Sequence, residues 1–288
     1  MEGIILQGIG SFYTVWDGQK KYVCKAQKKL RKSGTPVPGD RCHFVPGNGN
    51  EDGWIEEILQ RKNFLVRPAV ANIDVLALVV APIPIADLNL IEKLVLYARI
   101  SDIIPALIVN KIDMDSALYQ KMKDEFHGTN LKIFGVSAEK KTGLDELRTY
   151  LEGKTVCFAG QSAVGKSSLL NNLFNIKLET GELSRKTERG RHTTRRAELM
   201  VLGNTMVIDT PGFSLLNTMQ MNPEKVPEYY PEYFQFAHLC KFKPCMHDTE
   251  PGCAVRQAVK DGKMDEVRYQ RYRALLLDVR ENWKGRFN

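Results

Sequence analysis

The chain has 288 residues, of which 43% are hydrophobic and 26% charged, as in a globular protein of two or three domains. Its net charge of +7 suggests a polyanionic partner, although many basic proteins bind no nucleic acid. The N-terminus lacks the features of a signal peptide, and the longest apolar run, residues 75–86, is too short to span a bilayer. We therefore expect a cytoplasmic protein with no membrane partner, whose six cysteines are reduced, metal-bound or buried.

Residues 1–66 are predicted to form a small antiparallel barrel of the OB or SH3-like type. Short strands separated by Gly- and Pro-containing turns are predicted at residues 3–7, 11–16, 21–26, 40–45 and 54–59. Five lysines and arginines between residues 25 and 32 fall in one connection. Barrels of this kind hold nucleic acid with such loop lysines, so this is predicted to be an RNA-binding domain. A peptide-binding or purely structural barrel is the alternative.

Residues 67–217 are predicted to form an α/β domain with a mostly parallel sheet. Apolar strands are predicted at residues 75–80, 106–109, 132–136, 155–159 and 207–208, with an antiparallel edge at 198–202. Helices are predicted at residues 88–100, 116–126, 144–151 and 166–174. Nearly continuous apolar strands indicate a sheet covered on both faces. Ligands of such folds bind at the carboxyl ends of the strands, so the loops there should carry the chemistry.

One of these loops matches the phosphate-binding motif G-x-x-x-x-G-K-S/T; it reads Gly160, Gln161, Ser162, Ala163, Val164, Gly165, Lys166, Ser167. The motif follows a predicted strand and opens a predicted helix, where backbone N–H groups, that of Ser168 included, can face phosphate oxygens. Lys166 should reach the β- and γ-phosphates, and the Ser167 hydroxyl should bind Mg²⁺.

A second loop, Asp209-Thr210-Pro211-Gly212, has the form D-x-x-G and follows the predicted strand at 207–208. We expect the Asp209 carboxylate near Mg²⁺, usually through water, and the Gly212 N–H on the γ-phosphate. The motif alone is weak because it recurs by chance. Its position at a strand end downstream of a phosphate loop supports the assignment.

A third loop, Asn110-Lys111-Ile112-Asp113, is predicted to select guanine. The Asp113 carboxylate can accept hydrogen bonds from the ring N–H and the exocyclic amine of guanine, and adenine has no such donor pair. We expect Asn110 to join loop and base, the Lys111 stem to cover the purine, and Ser137-Ala138 to reach the guanine carbonyl. An isolated motif of this kind could be an ordinary polar turn. Both base loops precede the phosphate loop, the reverse of the usual order, which indicates a circular permutation.

The basic segment 184–196 has a charge of +5 and lies where the first switch of a GTPase belongs. Thr193 or Thr194 should close over Mg²⁺ and the γ-phosphate, and Thr194 is the preferred candidate. Phe213 follows the D-x-x-G loop, where many GTPases have a glutamine that orients water, so we expect slow hydrolysis completed by a partner. His192 either orients that water or only positions the loop. The predicted catalytic residues are Lys166, Thr194 and His192.

Residues 218–288 are predicted to form a helical zinc-binding domain. Cys240, Cys245, His247 and Cys253 offer three thiolates and one imidazole, which suit one tetrahedral structural zinc ion. A disulfide or chance clustering is the alternative. The remaining cysteines, Cys24, Cys42 and Cys157, lie on predicted strands and should be buried. The tail from 266 to 287 mixes arginines with aromatic residues, which suits either RNA binding or packing on the α/β domain.

Over its whole length the chain resembles the YjeQ/RsgA family of ribosome small-subunit-dependent GTPases. The resemblance rests on the permuted order, on residues 190–194 and 209–213, and on the spacing from Cys240 to Val255. It implies an OB domain, a permuted GTPase domain and a zinc domain with Cys240, Cys245, His247 and Cys253 as ligands. It also implies a monomer that binds the small (30S) ribosomal subunit and its 16S rRNA, acts in late maturation, and hydrolyses GTP to GDP when stimulated by the subunit.

The chain departs from the family pattern at two positions. Ala163 replaces the usual glycine of the phosphate loop, which would strain the backbone if a positive φ is needed there. Arg195 stands where a third threonine is common. A second hypothesis is a nucleotide-gated RNA-binding protein whose slow hydrolysis only resets it.

Overall fold

The structure, a computed structural model, describes residues 1–27, 30, 34–48, 51–66, 68–177, 197–209 and 221–284. Five strands form a closed barrel at the N-terminus: β1 (Glu2–Ile9), β2 (Phe12–Trp16), β3 (Lys21–Ala26), β4 (Arg41–Val45) and β5 (Gly53–Ile58). Their order is β1-β2-β3-β5-β4, with β4 paired back to β1 and with β3 parallel to β5. Ile5, Val15 and Phe44 point inward and are fully buried. Of the two predicted barrel types, this OB-like arrangement is the one formed.

Buried polar side chains fasten the barrel to the chain that follows it. The buried Asp40 carboxylate accepts two hydrogen bonds from Arg61, at 2.7 and 2.9 Å. Asn63 bonds both the N–H and the C=O of Ile73, at 2.8 and 2.7 Å. The chain between Asn63 and Ile73 forms a hairpin of β6 (Phe64–Val66) and β7 (Ala69–Ala71), which the sequence did not predict.

The central sheet has six strands in the order β10-β9-β8-β11-β13-β12. They are β8 (Val75–Val80), β9 (Ile104–Val109), β10 (Lys132–Gly135), β11 (Thr155–Ala159), β12 (Glu198–Leu202) and β13 (Thr205–Asp209). Every pairing is parallel except that of β12, the predicted antiparallel edge. Strand β8 is buried throughout because its alternate residues pack into cores on opposite faces, as Leu76 and Ala77 do.

Four helices cover the two faces of the sheet: α1 (Leu88–Ile100), α2 (Ala117–Glu125), α3 (Leu144–Leu151) and α4 (Lys166–Phe174). Helix α1 begins at the N-cap Asp87, whose carboxylate accepts the Leu90 N–H at 3.0 Å. It packs with α2 in one core, while α3 and α4 pack in the other. The helix boundaries agree with the predicted ones to within one residue.

The C-terminal region is built from short helices around a small aromatic core. Two 3-10 segments, Pro223–Tyr229 and Pro231–Tyr233, precede α5 (Phe234–Ala237), α6 (Ala254–Lys260) and α7 (Glu266–Lys284). Tyr230 and Tyr272 are almost completely buried there, and Leu96 of α1 belongs to the same core. The C-terminal region therefore packs directly on α1. The predicted domain boundaries, after residues 66 and 217, remain predictions, and the second lies outside the described residues.

Candidate nucleotide site and metal centre

The phosphate loop folds tightly against the neighbouring strand, and two glycines make this possible. Gly160 has a φ of 142°, and a Cβ there would lie 2.2 Å from the carbonyl oxygen of Val79 on β8. Gly165 has a φ of 92°, and a Cβ there would lie 2.5 Å from Asn110 Nδ2. No other residue type avoids both the clash and the unfavourable backbone.

Ala163 lies at the exposed tip of this loop with a φ of 63°. The left-handed region is unfavourable for any residue with a Cβ, by about 1–2 kcal/mol. The strain expected from the replacement of the usual glycine is therefore present in the fold.

Lys166 opens α4 and folds back over the phosphate loop. Its ammonium group donates to the carbonyls of Gly160 at 2.8 Å and Gln161 at 2.5 Å. Burial lowers the pKa of Lys166 to about 8. The ammonium thus lies against the loop that would surround the phosphates, and an anion would favour its charged form.

The other phosphate-loop residues have contrasting environments. Val164 is fully buried in the core beneath the loop, whereas Ser162 is exposed. Ser167 and Ser168 are half-buried in the first turn of α4. Backbone N–H groups in a first helical turn have no partners within the helix, so this end of α4 is suited to bind an anion.

Asn110 joins three loops. Its side chain is 1% exposed, donates to the Val164 carbonyl at 3.0 Å and accepts the Ala138 N–H at 3.1 Å. These two bonds use both ends of the amide, so the side chain fixes the phosphate loop and the loop after β10 at once. The two predicted base loops and the phosphate loop therefore meet at one edge of the sheet, although they are widely separated in the chain.

Lys111 makes contacts that the sequence did not predict. Its backbone is left-handed, with a φ of 60°, and its ammonium donates to the carbonyls of Ile83 at 2.7 Å and Ala163 at 2.9 Å. The side chain therefore bridges the phosphate loop to the segment between β8 and α1.

Asp113 is exposed at this edge of the sheet, while Ser137 and Ala138 are buried beside it. The Ser137 hydroxyl accepts the Lys140 N–H at 3.0 Å, and its backbone pairs with Thr142. This turn holds the Ala138 N–H against Asn110. A free carboxylate thus stands next to two ordered loops, as a guanine-selecting site requires.

The predicted γ-phosphate and catalytic residues lie mostly beyond what the structure describes. Asp209 is the last residue of β13, paired with Glu198 on β12, and this places its backbone beside the end of β11. The remaining predicted residues lie outside the described ranges; they are His192, Thr193, Thr194, Gly212 and Phe213.

The four predicted metal ligands form one compact cluster in the C-terminal region. Their ligand atoms all lie within 4.8 Å of one another, and His247 Nδ1 is 3.6 Å from Cys240 Sγ and 3.5 Å from Cys253 Sγ. Cys240 Sγ and Cys253 Sγ are 3.9 Å apart. A tetrahedral zinc ion with ordinary bond lengths would separate sulfur from nitrogen by about 3.6 Å and sulfur from sulfur by about 3.8 Å. The donor set therefore fits zinc in both chemistry and size.

Neighbouring groups hold the metal-binding turn in place. The Glu250 carboxylate accepts the N–H groups of Met246 at 2.9 Å and Asp248 at 2.8 Å. Tyr269 of α7 donates to the His247 carbonyl at 2.7 Å. Burial lowers the pKa of His247, which favours the neutral imidazole that binds metals.

Comparison with known proteins agrees with this geometry. Residues 58–219 match the RsgA GTPase family and residues 2–55 match the RsgA N-terminal domain family. The chain belongs to the RsgA GTPase family. It is 40% identical over 293 residues to the small ribosomal subunit biogenesis GTPase RsgA of Ruminiclostridium cellulolyticum, covering 99% of this chain and 96% of that protein.

Solved structures match as well. The crystal structure of YjeQ from Thermotoga maritima has a TM-score of 0.84 and 32% identity, covering 96% of this chain and 98% of that one. YloQ, described as a circularly permuted GTPase, has a TM-score of 0.80 and 28% identity, covering 97% and 95%. The predicted family and the permuted fold are therefore confirmed. Members of the RsgA GTPase family are hydrolases that act on GTP, and this implies GTP, GDP and Mg²⁺ as ligands.

This RsgA-family chain also has a contact at the phosphate loop that no motif revealed. The side chain of Gln161 accepts the backbone N–H of Asp87 at 2.8 Å, immediately before α1. The two residues are 74 positions apart. The sequence analysis predicted neither the cap at Asp87 nor this pairing.

The sequence left open whether the C-terminal helix binds RNA or packs on the α/β domain, and the structure shows that its first half is packed. Tyr269 and Tyr272 are buried, as are Arg268 and Arg271, at 5% and 9% exposure. The two arginines contact α1 and α2 and the two tyrosines pack in the C-terminal core, so these four side chains are not available to RNA. Cys24, Cys42 and Cys157 are fully buried, as predicted.

The barrel of this RsgA-family chain carries an exposed row of side chains that crosses all five strands. Register pairs Ile9 with Phe12, Phe12 with Lys25, Lys25 with Trp54, and Trp54 with Val45. Phe12 and Trp54 are 43% and 46% exposed, and the Lys25 ammonium lies 5.0 Å from the Phe12 ring centre. We call these five residues the barrel row.

Proposed function

We propose that this protein binds GTP at the junction of the phosphate loop with the loops after β9 and β10, and hydrolyses it in late maturation of the small ribosomal subunit. One observation carries the nucleotide site: Asn110 bonds both the phosphate loop and Ala138, next to the free carboxylate of Asp113. The phosphate loop, the Asp113 carboxylate and the loop of Ser137 and Ala138 converge at one sheet edge, where such a fold binds its ligands.

Residues 160–168 would surround the phosphates, with Lys166 on the β- and γ-oxygens and Ser167 on Mg²⁺. Asp209, Gly212 and Thr194, or Thr193 in its place, would complete the magnesium and γ-phosphate contacts. His192 is proposed to orient the attacking water, because Phe213 has no hydrogen-bonding group for that purpose. Lys111 would cover the purine with its stem while its ammonium stays on the loop carbonyls.

The base site can be tested by removing the carboxylate that is proposed to select guanine. Replacing Asp113 with Ala should weaken GDP binding by at least 10-fold without creating ATP binding, since the other loops remain intact. Replacing the exposed Asp115 with Ala, two residues further on, provides a matched control. An Asp113→Ala protein that binds GDP as tightly as the wild type would exclude this site.

The partner is proposed to be the 30S subunit, with contacts to its 16S rRNA. Curated relatives are named small ribosomal subunit biogenesis GTPases. The barrel row supports an RNA contact, since exposed aromatic rings stack on bases at about 1–3 kcal/mol per base and a lysine lies between them. We propose further that the protein acts as a cytoplasmic monomer. Within the described ranges no helix is long and apolar enough to cross a membrane.

A GTPase assay with and without purified 30S subunits tests the activity. We expect at least 10-fold stimulation by 30S subunits and none by 50S subunits, because the partner completes a site that lacks the usual glutamine. No stimulation, with GTP-dependent subunit binding retained, would instead favour a nucleotide-gated RNA-binding protein. His192→Ala should lower the stimulated rate and leave GDP affinity unchanged.

The barrel row can be tested separately. Phe12→Ala and Trp54→Ala should each weaken 30S binding about 5-fold or more by the loss of base stacking. Val66→Ala, which shortens an exposed apolar side chain outside the row, is the matched control. Unchanged binding of both row variants would exclude an RNA contact at this face.

The Cys/His cluster is proposed to hold one structural zinc ion per chain. Cys240, His247 and Cys253 are buried and Cys245 is half-buried, and four protein ligands would fill a tetrahedral site and leave no open position for catalysis. Metal analysis of the purified protein should find close to one zinc per chain. A disulfide between Cys240 and Cys253 is disfavoured, because their sulfur atoms are 3.9 Å apart and a disulfide bond is about 2 Å long.

A further inference from the structure

A buried cluster of charged side chains joins the GTPase sheet to the C-terminal helix. Arg268 of α7 donates to Glu92 of α1 at 2.8 Å and also contacts Glu232. Arg271, one turn further on, donates to Glu125 of α2 at 2.6 Å. Arg268 and Glu92 are 5% and 1% exposed, and the Arg268 guanidinium lies over the Phe126 ring at 4.8 Å.

Stability alone does not explain this cluster. Buried ion pairs recover little more than their desolvation cost, and apolar replacements are often as stable or more so. The cluster is also incompletely bonded, since Glu232 Oε2, Arg268 Nη2 and Arg271 Nε are buried without a hydrogen-bond partner. Its distinguishing property is geometric: Arg268 contacts Glu92 of α1 and Glu232 of the C-terminal region at once, and apolar side chains could not supply such directional contacts.

The N-terminal end of the same helix is fixed to the phosphate loop. Gln161 accepts the N–H of Asp87, the N-cap of α1, at 2.8 Å. Lys111 bridges Ile83, just before that cap, to Ala163 of the phosphate loop. Glu92 follows Asp87 by five residues, about 7.5 Å along a helix. A rigid helical segment thus separates the Arg268 contact from the Gln161 contact.

We propose that Arg268 is a positioning residue for the phosphate loop, acting through Glu92, the first turns of α1 and the Asp87–Gln161 bond. The inference rests on the nucleotide site proposed above. With Arg268 in place, α1 holds Gln161 and the loop is preorganised for phosphate. By thermodynamic reciprocity, bound nucleotide tightens the attachment of α7 to the GTPase unit. The C-terminal region thereby senses the nucleotide through α1.

The test is GDP affinity in the full-length protein, measured by calorimetric titration with Mg²⁺. Arg268→Met should raise the Kd for GDP about 5-fold or more, the lower end of typical coupling between sites. Lys93→Met is the matched control, because the Lys93–Asp278 pair joins the same two helices at 2.5 Å but in solvent, where pairs contribute little. The control should bind GDP as the wild type does.

A double variant separates positioning from a general structural defect. In a Gln161→Ala background the connection is already broken, so adding Arg268→Met should change the Kd by less than about 2-fold. An equal loss in both backgrounds would overturn the proposal, as would wild-type affinity in folded Arg268→Met. If Arg268→Met fails to fold, Glu92→Gln replaces it, with the same two outcomes. A wild-type protein that binds no GDP would refute the nucleotide site itself, and the inference with it.

Discussion

Asn110 and Gly165 meet so closely that neither position tolerates extra atoms. Asn110 Nδ2 donates to the Val164 carbonyl at 3.0 Å, and a Cβ on Gly165 would lie 2.5 Å from the same nitrogen. The base loop and the phosphate loop therefore share a single contact, and a change at either residue should affect both parts of the nucleotide site.

Gly165→Ala tests this contact. The alanine would add about 1–2 kcal/mol of left-handed backbone strain. Its Cβ would also displace the Asn110 amide from its two hydrogen-bond partners, the Val164 carbonyl and the Ala138 N–H. We expect at least 10-fold weaker GDP binding, measured by calorimetry. Gly153→Ala is the control, since Gly153 has a φ of 72° but nothing within 4 Å of its Cβ position. Equal GDP affinity of the two variants would show that the contact does not matter.

Ala163→Gly should stabilise the protein, which is unusual for a glycine substitution. It removes about 1–2 kcal/mol of left-handed strain and costs about 0.5–1 kcal/mol of unfolded-chain entropy, so a net gain of up to about 1.5 kcal/mol is expected. Urea unfolding measures it. Ala117→Gly, on the exposed first residue of α2, should instead destabilise. A loss of stability in both variants would contradict the strain at Ala163.

Much of this architecture could be predicted from the sequence, and the reasons are local. Strands β3, β8, β11 and β12 were predicted to the residue from apolar or alternating runs. The phosphate loop follows β11 because its first glycine ends the apolar run of that strand. The hairpin of β6 and β7 was missed because three-residue strands show no period.

What could not be predicted depends on contacts between distant residues. Glu92 and Arg268 are charged residues on helices, a pattern that ordinarily indicates a solvent-exposed face, yet both are buried because each neutralises the other. The bond between Gln161 and Asp87 arises only when the sheet brings the ends of β8 and β11 together. No window of sequence contains either pairing.

Nucleotide affinity should depend on pH through Lys166. Burial lowers its pKa from 10.5 to about 8, so the free protein loses the ammonium charge above that pH. Phosphate binding then requires proton uptake, and affinity for GDP should fall by up to about 10-fold per pH unit above pH 8. Lys166→Arg stays charged over this range, so its affinity for GDP should change little with pH. A flat profile for the wild type would place Lys166 away from the phosphates.

Folding stability should move in the opposite direction over that range. Between about pH 8 and about pH 10.5 the unfolded chain holds a proton on Lys166 that the folded, nucleotide-free chain does not. Stability of the nucleotide-free protein therefore rises with pH in this window. Urea unfolding of the wild type and of Lys166→Met, which lacks the titrating group, should differ in slope, and identical slopes would exclude the shift.

Removal of zinc should melt the C-terminal core and leave the barrel and sheet folded. The core around Tyr272 is small and its turn of residues 240–253 is held by the ligands, so the metal's binding free energy is available for folding. Burial raises the pKa of the Cys245 thiol to about 12, so without metal this thiol is protonated at neutral pH. Zinc binding must then release protons, and zinc affinity should increase with pH.

Hydrogen exchange after treatment with a chelator locates the effect. Amides of α6 and α7 should lose protection, while those of β8 and β11 keep it, because the GTPase cores do not include the ligands. Cys253→Ser should reproduce the loss, and Cys157→Ala, at a buried thiol outside the cluster, should retain zinc. Full protection of α7 in the metal-free protein would mean that Glu92 and Arg268, together with the aromatic core, hold the helix without the metal.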